Sequence, residues 1–193
     1  MSIGTFLSSA IDSLNSHRPD VALALVCAAV DATASLSHPD IQKNNEKYKR
    51  FLTDNMRVIT TYGFPGLVAS GIRIKCDNIP HVKKDSDGHA DFVDILYHII
   101  RCSIIHQCAI DETIEFVPFS HMGDNGNKFH VPNTMIWGLL MAVVLSECNK
   151  DQRLDKKYML RQNNGALDLN TLWGSYPDFR ERDSHNKRIE HTR

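Results

Sequence analysis

The sequence has almost no net charge: 22 Lys and Arg stand against 23 Asp and Glu in 193 residues. That balance removes the global electrostatic footprint of a chain built to coat nucleic acid or a membrane surface. Long apolar runs are also lacking. The longest, Val21 to Val30, is too short to span a bilayer, which takes about 20 residues as a helix. The first residues have no positively charged start followed by an apolar stretch, so no signal peptide is expected. Cysteine is scarce in a telling way. Cys27, Cys76, Cys102, Cys108 and Cys148 are odd in number and widely spaced, which suits free thiols in a reducing compartment and not a disulfide framework. Repeats and low-complexity blocks are absent. The glycines form no phosphate loop, since Tyr62–Gly66 (YGFPG) lacks the lysine and the spacing. These absences point to a cytoplasmic, soluble protein with no membrane partner and no cofactor.

The residues that are present describe an ordinary globular chain, 42% hydrophobic and 23% charged. Its length suits one domain with an appendage. Charge is uneven along it: residues 1–149 carry 12 basic against 16 acidic side chains, and residues 150–193 carry 10 against 7. The expected division is therefore a helical domain over 1–149 and a polar, mildly basic extension over 150–193. Such a tail can touch nucleic acid, and it can equally be solvated surface.

Apolar residues recur at helical spacing from Ile3 to Ser16, and Pro19 suits the first turn of a second helix over 19–37. That second helix is apolar nearly all round at Val21–Val30, which predicts the most buried helix of a bundle. Asp31 follows this run and needs a partner or water. A more polar helix is expected over 41–61 and a loop-rich connection over 62–89. A long helix follows over 90–109. "TIEFVPF" (113–119) and "KFHV" (128–131) flank "SHMGDNGN", which reads as a β-hairpin. An apolar helix spans 134–147, and Leu167, Leu169, Leu172 and Trp173 are expected to dock on the bundle. The predicted fold is mainly all-α: about five helices with one small hairpin inserted.

The chemistry gathers in "YHIIRCSIIHQ" (97–107), where Arg101 and His106 sit among isoleucines. Five helical steps leave their side chains roughly 140° apart, so they share a cleft only at an exposed face or near a helix end. Buried arginine needs a carboxylate, with Asp31 or Asp94 as candidates, or a polyanion. A structural reading is an Arg101 ion pair and a hydrogen-bonded core histidine. His98, Cys102 and His106 also fall at i, i+4 and i+8, a stripe of zinc-ligand types that one straight helix cannot close around one ion. No metal site is expected.

"ALVCAAVDATASL" followed later by "DILYHIIRCSIIHQ", with Arg, four residues and His after an aromatic, resembles the HEPN superfamily of helical ribonuclease and nucleotide-binding domains. The resemblance covers about residues 5–148. It departs at Cys102, where the family often has a polar residue. It implies a homodimer facing two Arg/His pairs into one cleft. RNA would be cleaved without a metal, with His106 as the proton carrier and Arg101 as the phosphate clamp. Asp31, Cys102 and His98 would support them. It also admits a toxin or defence role with an antitoxin as partner. The alternative is a non-catalytic helical module that binds a partner or a nucleotide.

Overall fold

A computed structural model describes residues 2–64, 67–79, 82–99, 112–162 and 165–175. The first helix, α1 (Ile3–Asn15), starts at Ser2, whose hydroxyl accepts from the Thr5 amide and so satisfies one free helix-end donor. α2 (Pro19–Ser37) follows, with proline in its first turn. By length and composition this helix could cross a membrane. In the fold it is a core helix, burying Leu23, Val26, Cys27 and Val30 against α1 and its other neighbours.

The polar helix expected over 41–61 is two helices, α3 (Asn44–Asp54) and α4 (Met56–Gly63). The break falls at Asn55, where the side-chain amide and the backbone amide both bond to Phe51 O, at 2.9 and 3.1 Å. This local competition for one carbonyl ends a helix that hydropathy alone would continue. The connection over 62–89 contains β1 (Arg73–Lys75), which pairs antiparallel with β2 (His89–Asp91). The next helix therefore begins later than expected. α5 (Phe92–Leu96) is capped by Asp91, whose carboxylate accepts from the Val93 amide at 2.8 Å. Residues 97–99 continue it as a wider π-type turn.

The hairpin expectation needs correction. β3 (Ile114–Val117) runs parallel to β5 (Lys128–Pro132), and the hairpin partner of β5 is β4 (Gly123–Asn125). The strand order is β3-β5-β4, with β5 in the middle. The β4–β5 hairpin closes in a two-residue turn at Gly126–Asn127, and Gly126 has φ 63° there. Its partner strand is polar and only three residues long, so periodicity could not reveal it.

α6 (Thr134–Leu145) follows and is the most buried helix, with Met135, Ile136 and every residue from Gly138 to Leu145 inside. It displaces the 21–30 segment from the role predicted for it: Leu25 there is only partly buried. At its end, the Asn149 amide donates to Thr33 Oγ1 at 3.0 Å and to Val143 O at 2.9 Å, tying α2 to α6. Beyond it, β6 (Met159–Gln162) and β7 (Gly165–Asp168) form a last antiparallel pair. Leu169 and Trp173 are buried in the same core as the helices and Leu172 packs against it, as expected, but Leu167, on β7, is not part of that core.

Among the described residues there are thus six α-helices and three small sheets. The architecture is mixed α/β and not a mainly all-α bundle. The cause is that segments between helices pair as short strands, and β1, β2 and β4 lack the apolar alternation that would announce them.

Candidate functional site

α3 packs against both α2 and α5, and this meeting point gathers polar chemistry. Lys49 reaches from α3 to α5, with Nζ 2.7 Å from Asp94 Oδ1. The same ammonium lies 4.9 Å from the centre of the Tyr97 ring. Both members of the ion pair are about one-third exposed, at 36% and 30%. Tyr97 is in edge contact with Tyr48 on one side and with His98 on the other, at centroid distances of 5.8 and 5.7 Å. Phe92, Ile95, Leu96 and Ile99 are buried, so one face of the segment is anchored while Tyr97 and His98 stay half-buried.

On α2, the Cys27 thiol lies near Tyr48, and Asp31, one turn further along, is close enough to act on it electrostatically. Burial, reinforced by the Asp31 charge, pushes the Cys27 thiol well above its ordinary range and keeps it protonated. Cys27 is thus a packing residue and not a nucleophile.

The structure brings His98 and Asp94 together with Lys49 and Tyr48 around Tyr97, and places Asp31 one turn from Cys27 on α2. Asp94, which the sequence offered after Asp31 as a partner for Arg101, pairs with Lys49. Lys49 itself was missed, since one lysine on a polar helix carries no signal until its neighbours are known. Arg101, Cys102 and His106 lie outside the described residues.

A second concavity opens where α2, α3 and α6 end. It has a volume of about 730 Å³ and is lined in part by His38, Arg50, Asp54, Glu147, Cys148 and Lys150. Asp54 organises it, accepting from Arg50 Nε at 3.0 Å with His38 Nε2 at 3.6 Å. The Cys148 sulfur is 3.2 Å from Ser37 Oγ. Among the described residues no group of three or more His, Cys, Asp or Glu side chains is placed to hold a metal ion.

Residues 2–192 match the sequence profile of a family described as Rv1289. Similar chains occur in Mycobacterium tuberculosis and Mycobacterium bovis, where they are named uncharacterized proteins. Each is 24% identical over 192 residues, covering 94% of this chain and 87% of the relative. No solved structure matches. The profile spans nearly the whole sequence, helices and small sheets alike, and the chain belongs to the Rv1289 family.

Proposed function

We propose that the protein is a cytoplasmic RNA-binding protein that cleaves single-stranded RNA without a metal, using the segment that α5 leads into. The observation that carries this reading is the Lys49–Asp94–Tyr97–His98 cluster. It sets a cation, an aromatic ring and an imidazole on one half-buried face, three residues before Arg101. The π-type turn at 97–99 supports the same placement, since such widened turns recur at functional positions in helices.

The chemistry follows from the residue types. A base takes the 2′-hydroxyl proton, and the freed oxygen attacks the adjacent phosphorus. The bond from phosphorus to the 5′-oxygen breaks, and an acid protonates that oxygen. The products are a 2′,3′-cyclic phosphate and a 5′-hydroxyl. Imidazole serves as base or acid near neutral pH, which is the role of His106. A guanidinium grips the phosphate through paired charged hydrogen bonds, which is the role of Arg101. A homodimer whose interface includes this segment supplies the second imidazole. A toxin or defence effector held by an antitoxin fits the same chemistry.

The test is incubation of the purified protein with end-labelled RNA in EDTA, followed by end-group analysis. His106→Ala should abolish cleavage and leave binding largely intact. Arg101→Ala should weaken both, by about 1.5–3 kcal/mol for one lost charged contact. Activity that disappears in EDTA would replace this mechanism with a metal-dependent one.

A second reading, a non-catalytic ligand-binding module, is favoured by the 730 Å³ cleft with Arg50, His38 and Lys150 on its walls. Absence of cleavage with or without EDTA, together with unchanged RNA binding by His106→Ala, would make this the better account.

A further inference from the structure

Three rings meet beside the β3-β5-β4 sheet. Phe119 and His121 lie in the connection from β3 to β4, and His130 lies on β5. The His121 and His130 rings are perpendicular, with centroids 5.6 Å apart. Phe119 is 6.0 Å from His130 and 6.4 Å from His121. Gly123, at φ 148°, lets the chain turn from His121 directly into β4. The corner is open on one side: Phe119 is 54% exposed, the one aromatic among the large apolar side chains exposed in the described residues.

The buried wall of this corner is polar and incompletely satisfied. His130 is only 7% exposed. Its Nε2 lies 3.6 Å from Glu115 Oε2 and 3.4 Å from the Asn125 side-chain amide. The Asn125 amide nitrogen can only donate, so that contact makes Nε2 the acceptor and puts the ring proton on Nδ1. Nδ1 has no hydrogen-bond partner among the described residues. A buried polar atom without a partner is uncommon in a folded protein. Lys128 stands at the rim, half exposed, with Nζ 3.6 Å from Glu115.

We infer that this corner is a stacking site for an unpaired base of single-stranded RNA. Phe119 is the platform, His121 and His130 are the walls, and Lys128 takes the flanking phosphate. This rests on the RNA reading above but uses none of the residues named there. An isolated exposed phenyl ring needs no explanation. A phenyl ring beside two imidazoles, one of them buried with an unpartnered ring nitrogen, is a ready-made aromatic surface. Bases stack on such rings with little regard to sequence because every base has a π-face. A duplex keeps its bases stacked on each other and gains nothing from the corner.

The test is fluorescence anisotropy of the full-length chain in EDTA with a fluorescein-labelled, cleavage-resistant 2′-O-methyl RNA of unstructured sequence. Phe119→Ala should weaken binding by about 5- to 150-fold, the range for losing one stacked base. It should leave the thermal midpoint unchanged, because the ring is largely exposed. Phe119→Trp should keep affinity and show added tryptophan quenching when RNA is bound. A hairpin duplex of the same composition should bind the wild type and Phe119→Ala alike. If the wild type binds the single strand, but Phe119→Ala and His121→Ala bind it equally well and Phe119→Trp shows no added quenching, the corner is refuted and the RNA reading stands. If the wild type binds no RNA, both fall.

Discussion

Asp12 and Lys156 are 144 residues apart in the chain and 2.9 Å apart in the fold. Tyr158 joins them, its hydroxyl 3.0 Å from the other Asp12 oxygen and 3.1 Å from Ser8 O. The Lys156 hydrogen bond holds the Asp12 carboxyl below its ordinary value of 3.8. The same bond raises the Lys156 ammonium above 10.5, and burial raises the Tyr158 hydroxyl above 10.0. The signs differ. A depressed carboxyl contributes stability that is present above the unfolded value and is lost as pH falls through the folded one. Raised lysine and tyrosine values contribute stability that is present below their unfolded values and is lost as pH rises through the folded ones. The thermal midpoint should therefore decline below about pH 4 and again above about pH 10. Asp12→Asn should flatten part of the acid limb in a series of melts against pH. An acid limb identical to that of the wild type would show that this contact is too solvated to count.

At the scale of elements, α4 and α6 approach each other closely. A Cβ added at Gly138 would run into the Ile59 carbonyl and reach 3.1 Å from the Gly63 amide nitrogen. Thr134, in the first turn of α6, donates to Gly63 O at 2.6 Å and holds the same two helices in register. Gly138→Ala, normally favourable inside a helix, should instead destabilise the protein by about 1–3 kcal/mol through overpacking. Urea denaturation should show a lower midpoint with an unchanged slope. A stabilised variant would mean that the two helices separate easily. That close contact could not be read from "TMIWGLLMAVVL", which announces a buried helix and says nothing of which neighbour touches its backbone. The same division runs through the chain. α1, α2 and α6 were legible because apolar spacing and an early proline are local signals. The parallel pairing of β3 with β5 was not, because it joins residues that nothing in either segment marks as partners. The Asn55 break was hidden for a different reason, since a side-chain amide competes there for a single carbonyl. The polar cluster that includes Asp94 and His98 was partly legible as polar residues misplaced in an apolar helix. Lys49 and the His121–His130 pair were not, because histidines beside a Gly-rich turn read as spacers until β4 and β5 bring them together.

At the scale of the whole molecule, residues 150–175 close over the helices. Leu154, Tyr158, Leu169 and Trp173 are buried in the common core. Ser8 Oγ accepts from the Asp155 amide at 2.8 Å, so α1 is held by hydrogen bonds as well as by apolar contact. Each large apolar side chain removed from water contributes about 1.5–3 kcal/mol. A chain ending at Asn149 should lose several such contributions at once, which is comparable with the whole stability of a typical domain, about 5–15 kcal/mol. Circular dichroism should show a broad, non-cooperative melt for the shortened chain, and a sharp melt near the full-length midpoint would refute this. The same contacts set an order on biosynthesis. α1 leaves the ribosome well before the segment that covers Ser8 and Asp12 is made. In that interval it must wait beside unfinished apolar surface, exposed to proteases and chaperones, until a segment about 150 residues younger arrives to shelter it.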